Sequence, residues 1–120
     1  MLINLSNHPL SQWSERQREA AHAQFGKVRD IPFPAIDPYA TEQEIQNLAK
    51  EYFTQIEKMH QHERIKAVHL MGEFSFSFAL VDLLKKSGFR VVVSTSERNV
   101  TVLENGEKQV KFNFVKFRYY

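Results

Sequence analysis

The sequence predicts an α/β fold: a three-layer sandwich with a mostly parallel sheet and an antiparallel β-hairpin at the C-terminal edge. Short apolar runs alternate with segments of helical spacing over most of the chain, which is typical of βαβ units. The clearest unit covers residues 66–88, where an apolar run ends at Gly72 and a helical segment ends at Gly88. Asn105 and Gly106 lie between two later strand-like segments, and this pair is the strongest short signal for a hairpin.

Composition limits the classes of protein that the chain can belong to. At 120 residues it has the size of one domain, and we expect residues 1–120 to form a single unit. The net charge of +2 is too small for a surface that coats DNA. With no cysteine, disulfides, zinc–thiolate sites and thiol catalysis are excluded. No apolar run is long enough to cross a bilayer. We therefore expect no membrane partner and a cytoplasmic location.

The first predicted strand, residues 2–5, ends in a polar loop. That loop contains Asn7 and His8, which become the first candidate site residues. Ser11 is predicted to cap a helix over residues 12–25, because a serine side chain can accept a hydrogen bond from the first turn of a helix.

A second strand is expected at residues 28–33. It contains Pro32, whose missing N–H suits the edge of a sheet. Thr41 and Glu44 have the spacing of a capping box and predict the start of the next helix. That helix carries a continuous apolar stripe, formed by Ile45, Leu48, Ala49, Tyr52, Ile56 and Met59.

Residues 74–78 alternate phenylalanine with serine, and such alternation is typical of a strand. A strand over residues 67–81 would be unusually long and would place Gly72 in its interior. We therefore favour a helix that begins near Ser75. The free N–H groups of its first turn are then expected to face a ligand.

The last quarter of the chain predicts three strand segments. A fourth strand at residues 89–93 is expected to run into a polar loop at residues 94–98. Residues 99–103 and 109–119 form the two strands of the hairpin. The apolar residues of the last strand change phase near Phe114, which predicts a β-bulge there.

In a sheet with strand order 2-1-3-4, three polar loops are predicted to converge at the switch point, outside the carboxyl ends of the strands. Together they supply hydroxyl and amide donors that suit phosphate, and Arg98 adds a planar fork of N–H groups. The alternative is that these are ordinary loop residues. The loops contain Asn7 and His8; Gly72, Glu73, Phe74 and Ser75; and Thr95, Ser96, Glu97 and Arg98.

The histidines have more than one interpretation. His8 can act as an acid, a base or a phosphate donor, or it is simply exposed. His60 and His62 end a helix and lack the neighbours that a metal site needs, so no metal is expected. His69, in a buried strand, is predicted to be a hydrogen-bonded core residue. No dinucleotide, triphosphate or serine-hydrolase motif is present, and no cofactor is expected.

Four segments together carry a family resemblance that spans nearly the whole chain. They are LINLSNHPLS at the start, VHLMGEFSFSFALV in the middle, STSER after the fourth strand and FNFVKFRYY at the end. These segments resemble the small single-domain CRISPR-associated proteins related to CARF domains. That group includes the ring nucleases of type III systems.

The resemblance implies a Rossmann-like fold, a two-fold homodimer and a cyclic oligoadenylate bound across the dimer axis at the strand ends. Cyclic tetra-adenylate is the ring expected. Asn7 and His8 would line the floor of the site. The other implied ligand contacts are Gly72, Phe74, Ser75, Ser77, Thr95 and Ser96.

The implied activity is metal-independent attack of a ribose 2′-OH on the adjacent phosphodiester, which opens the ring and ends type III signalling. Arg98 would stabilise the developing charge, and Glu73 or His8 would transfer the proton. One alternative is a sponge that binds the ring without cutting it. Another is a protein-interaction module that recruits partners through its aromatic C-terminal strand, with Phe112, Phe114, Phe117, Tyr119 and Tyr120.

Overall fold

The computed structural model describes residues 1–120 as a five-stranded mixed sheet with three α-helices. The strand order is β2-β1-β3-β4-β5; β2, β1, β3 and β4 are parallel and β5 is antiparallel to β4. The order of the first four strands is as predicted. The elements are β1 (Leu2–Ser6), α1 (Glu15–Phe25), β2 (Val28–Asp30), α2 (Glu42–His62), β3 (Ala67–Met71), α3 (Phe74–Lys86), β4 (Val91–Val102) and β5 (Lys108–Tyr119). No helix is long and apolar enough to span a membrane.

The core lies in two clusters because successive side chains of a strand point to opposite faces. The larger cluster is packed between the sheet and the helices α2 and α3, and we call this side the α2/α3 face. The smaller cluster packs against α1, on what we call the α1 face. The strands supply Ile3, Leu5, Val68, Leu70 and Val91 to the first cluster, and Leu2, Ala67, Val92, Phe114 and Phe117 to the second.

The start of α2 confirms the predicted capping box. The backbone N–H of Glu44 donates to Thr41 Oγ1 at 3.2 Å. The predicted start of α1 is wrong. A short 3₁₀ turn, Leu10–Gln12, precedes the helix, and Ser14 rather than Ser11 caps it by accepting from Gln17 N. The turn brings Trp13 into the core, where it is 3% exposed.

Strand β2 is shorter than predicted and ends at Asp30. The segment after it contains Pro32 and Pro34, which have no N–H with which to continue the ladder. The strand does lie at the edge of the sheet, as Pro32 predicted.

Strand β4 overturns the prediction of a loop at residues 94–98. It runs without a break from Val91 to Val102 and pairs with β5 along its length. Thr95 adds a side-chain link to this ladder, because its Oγ1 accepts from Lys116 N at 3.3 Å. The predicted bulge is confirmed: Thr95 pairs with Lys116 and Ser96 with Phe114, so Val115 has no partner on β4.

The β4–β5 ladder continues past the end of β3, and we call this extension, residues 96–114, the arm. Alternation along the ladder gives it one wholly polar face and one face, which we call the apolar face, that combines apolar side chains with Arg98 and Lys108. The apolar face includes Val100, Val102, Val110 and Phe112, all of which are exposed.

Candidate functional site

The loops that follow β1 and β3 meet at the point where the chain order of the sheet reverses. Strands β1 and β3 are neighbours, and the backbone N–H of Asn7 donates to the carbonyl of Met71 at 3.2 Å. Two of the three predicted loops are therefore adjacent. In open α/β sheets this crevice is where ligands bind.

A network of polar side chains on the α1 face lies directly beneath these loops. Asn4, which is 1% exposed, donates from Nδ2 to Asp30 Oδ1 at 2.8 Å and to the carbonyl of His8 at 2.9 Å. Ser6 Oγ donates to Asn4 Oδ1 at 2.8 Å, and Trp13 Nε1 donates to the same His8 carbonyl at 2.9 Å. The backbone of His8 is thus held firmly, while its side chain is exposed.

His69 connects this network to β4. The Nδ2 of Asn4 donates two hydrogen bonds, which fixes the orientation of the amide and makes Asn4 Oδ1 an acceptor. The Nδ1 of His69 therefore donates to Asn4 Oδ1 at 2.9 Å. Its Nε2 lies 3.2 Å from Ser94 Oγ. Burial, with a smaller contribution from the charge of His8, lowers the pKa of His69 to about 4. His69 is the buried, hydrogen-bonded histidine that the sequence predicted.

Gly72 is required by close packing in the turn after β3. A Cβ at this position would overlap the ring of Phe33, which comes from the segment after β2. The ring of Phe33 in turn packs edge-on against Phe76, with the ring centroids 5.3 Å apart. The absence of a side chain at Gly72 therefore leaves room for the ring of Phe33. This packing explains the glycine without a ligand contact.

Glu73 caps α3. Its carboxylate accepts from Phe76 N at 2.8 Å and from Ser75 Oγ at 2.6 Å. These two bonds, the Ser75 hydroxyl first, hold the pKa of Glu73 below its usual value. The expectation that this helix start offers all its N–H groups to a ligand is wrong, because a carboxylate of the protein already occupies the N–H of Phe76.

The first two turns of α3 divide into exposed and buried residues. Phe74 is 91% exposed and Phe78 is 77% exposed, although both are large and apolar. Ser77 is 8% exposed, and its Oγ is buried without a hydrogen-bond partner. The ligand contacts at Ser77 and Phe74 stay predictions; Ser77 is buried, whereas Phe74 is fully accessible.

The third predicted loop does not join the other two, because residues 94–98 belong to β4. Ser94 is the residue that reaches the network, and both its N and its Oγ contact Met71 Sδ at the end of β3. Arg98 lies four residues farther along the strand, which places it about 13 Å beyond Ser94. Thr95 and Ser96 lie between them, and the hydroxyl of Thr95 is bonded to β5.

A pocket of about 340 Å³ opens beside the junction of the two loops, on the β2 side. Asp30 is the only formally charged residue that lines it, so the pocket offers no cationic side chain to a ligand. No group of three possible ligands for a metal ion is present in residues 1–120. The lining residues are Asn4, Ser6, Asn7, Pro9, Asp30, Ile31, Pro32 and Phe33.

Comparison with protein families identifies the chain over almost its whole length. Residues 1–118 match the model of the uncharacterized protein MJ1673 family. The chain belongs to this family. No match is found among curated proteins or solved structures.

The site of this MJ1673-family chain combines a rigid base with an accessible rim. Asn4, Ser6 and His69 form the base; they are buried and bonded to one another. His8 and Phe74 project from the rim, where they can meet a ligand. The arrangement can stack a planar group on Phe74 and exchange a proton at His8.

Sequence reasoning missed three residues of the polar network beneath the loops: Asn4, Trp13 and Asp30. Asn4 and Asp30 take their roles from each other, although they lie 26 residues apart in the chain. A polar residue inside the apolar run of β1 was the one available signal, since a buried amide needs partners.

Proposed function

We propose that the protein binds a cyclic oligoadenylate, cyclic tetra-adenylate in the first instance, at the crevice beyond β1 and β3. In this proposal the fold is a Rossmann-like three-layer sandwich, and the protein is a homodimer that ends type III CRISPR signalling by cutting the ring without a metal. The observation that carries the proposal is Phe74, a 91% exposed aromatic ring at the crevice.

Exposed aromatic rings favour a ligand that contains bases. Phe78 follows Phe74 by one helical turn, so the two rings share one side of α3. Stacking of a base on such a ring contributes about 1–3 kcal/mol, whichever base it is. Two neighbouring rings on each protomer therefore suit a ligand with several bases.

The position of Arg98 favours a ligand of several nucleotides over a mononucleotide. Arg98 is carried on the arm, and its Cα lies about 13 Å along β4 from the end of β3. A ligand that contacts both Phe74 and Arg98 must bridge the crevice and the arm. A ring of nucleotides has that reach, and it presents phosphates to Arg98.

The cleavage step uses groups on the rim. A ribose 2′-OH attacks its adjacent phosphorus, the bond to the 5′-oxygen breaks, and the products are a 2′,3′-cyclic phosphate and a 5′-OH. The side chain of His8 accepts the 2′-OH proton, and a solvent proton reaches the leaving oxygen. Glu73 is the weaker candidate for the base, because its pKa is lowered and both its bonds serve the cap. Arg98 stabilises the pentacoordinate phosphorus.

Sequestration without cleavage is the second candidate. It is favoured by the separation of Arg98 from the crevice and by the engagement of Glu73 as a cap. Because Arg98 is distant and Glu73 is engaged, the set of catalytic groups at the crevice is incomplete. The aromatic stacking surface does not depend on either residue.

The test measures binding and products together. The purified protein is incubated in EDTA with cyclic tetra-adenylate, and products are separated by chromatography while affinity is measured by calorimetry. Phe74→Ala should weaken binding about tenfold, which corresponds to the loss of one stacked base. Tyr119→Ala is the control, since Tyr119 is 47% exposed and pairs with Val92 near the amino end of β4, at the opposite end of the sheet.

The outcomes separate the candidates. A linear product with a cyclic phosphate end, lost in His8→Ala, supports cleavage. Tight binding with an intact ring supports sequestration. No binding of cyclic tri-, tetra- or hexa-adenylate would overturn both candidates and favour a protein-interaction module that uses the apolar face of the arm.

A further inference from the structure

The amino end of the sheet carries a second cleft, larger than the pocket beside Asp30. It has a volume of about 930 Å³ and lies at the end opposite the crevice described above. Its walls come from the last turns of α1 and α2 and from the segments that lead into β3 and β4. We call it the amino-end cleft. It does not include any residue placed in the proposed cyclic oligoadenylate site.

Three cationic side chains line this cleft, and only one carboxylate does. The cations are Arg64, Lys66 and Arg90, and the carboxylate is Glu57. The two ion pairs of the molecule, Lys27 with Glu63 and Lys86 with Asp82, leave all three of these cations unpaired. None of the three donates a side-chain hydrogen bond to the protein, so their donors face the cleft or solvent.

Two donors are held in fixed orientations. The guanidinium of Arg90 lies 4.0 Å from the centre of the Tyr119 ring, which supports its plane and leaves its N–H edge free. The Nδ1 of His60 accepts from Ile65 N at 2.9 Å, so its Nε2 carries the proton. The His60 ring is also packed edge-on against Phe89 at 5.2 Å.

Helix dipoles offer a simpler reason for cations at this end, because helix C-termini attract positive charge. Lys85 fits that explanation, since it lies in the last turn of α3. Lys66 and Arg90 do not fit it: each precedes a strand and neither contacts a helix carbonyl. The dipole explanation accounts for Arg64 at most.

We propose that the amino-end cleft binds an anion that carries two or more phosphate groups, either free or as part of a nucleotide. One phosphate can engage a single guanidinium in bidentate fashion. The cations of this cleft come from two separate segments, so a chain of phosphates can engage Arg90 at one side and Arg64 with Lys66 at the other. The volume lies within the range of small-molecule sites, about 300–1,000 Å³.

The experiment is calorimetric titration of the full chain with sodium tripolyphosphate and, separately, with ATP. Arg90→Gln and Arg64→Gln should each weaken tripolyphosphate binding about tenfold, as the loss of a charge-assisted hydrogen bond implies. Lys86→Gln is the matched control. It removes the same charge from an exposed site that is paired with Asp82, and should change affinity by less than about twofold.

The two probes distinguish the sources of phosphate. ATP binding tighter than tripolyphosphate would support a nucleotide, and equal binding would support the phosphate chain alone. Arg64→Gln keeps the test valid if Arg90→Gln loses its stack on Tyr119 and unfolds, because the Arg64 side chain makes no hydrogen bond or ion pair with the protein. Absence of heat with both probes, or an equal loss in Lys86→Gln, would overturn the proposal.

Discussion

Near their carboxyl ends, strands β1 and β3 present an apolar surface to one face of the sheet and a polar surface to the other. On the α2/α3 face, Ile3, Leu5, Val68 and Leu70 form an apolar surface. On the α1 face, the alternate positions Asn4, Ser6 and His69 are polar, buried and bonded to one another. The α2/α3 face therefore contributes mainly to stability. On the α1 face, hydrogen bonds replace apolar contacts and hold in place the loops that form the crevice.

The largest effect is expected on the apolar face. Leu70→Ala removes a fully buried side chain from the larger cluster. The free energy of unfolding should fall by about 2–5 kcal/mol, because a cavity remains where the side chain was. Urea denaturation measures the loss. A fall smaller than that of any polar substitution on the α1 face would contradict the assignment of stability to this face.

An acid-dependent loss of stability is expected from the polar face. His69 has its pKa lowered from 6.5 to about 4, so the unfolded chain takes up a proton there before the folded chain does. The contribution of His69 to the free energy of unfolding should therefore be constant above pH 6.5 and fall by about 3 kcal/mol as the pH drops from 6.5 to 4. Denaturation at a series of pH values measures the slope.

His69→Gln is the control for the acid effect, because it keeps a polar side chain and removes the titration. Its stability should lack the fall between pH 6.5 and 4. Glu73 also has a lowered pKa, but its contribution is present above its ordinary value of 4.5 and is lost only below it. If His69→Gln kept the wild-type dependence of the free energy of unfolding on pH, another group would be taking up the proton.

The smallest effect is expected where the polar network meets β4. Ser94→Ala removes the partner of His69 Nε2 and leaves Nδ1 bonded to Asn4. The cost should be about 1 kcal/mol, typical of one hydrogen bond. Chemical denaturation at pH 7 measures it. A cost as large as that of Leu70→Ala would remove the distinction between the two faces.

The sequence predicts the parts of the fold that depend on local pattern. The strand order, the capping box at Thr41 and the hairpin turn at Asn105 follow from spacing and turn chemistry, and all are present. The buried state of His69 follows from the apolar run around it.

The parts that could not be predicted depend on neighbours in space. Polar residues 94–98 resemble a loop, yet they form a strand because β5 satisfies their backbone groups. Glu73 gives no strong capping signal, since serine, threonine, aspartate and asparagine are the preferred caps. Because residues 94–98 form a strand, the predicted third loop is not part of the crevice.

The bulge at Val115 determines where strand β5 can lose a residue without a change in register. Phe114 and Phe117 both reach the α1 face only because the residue between Phe114 and Lys116 is excluded from the pairing. Strand β5 therefore contains one residue more than its ladder uses. Deleting that residue would leave every pairing and both faces as they are, whereas deleting a residue from β1 would turn its buried side chains over.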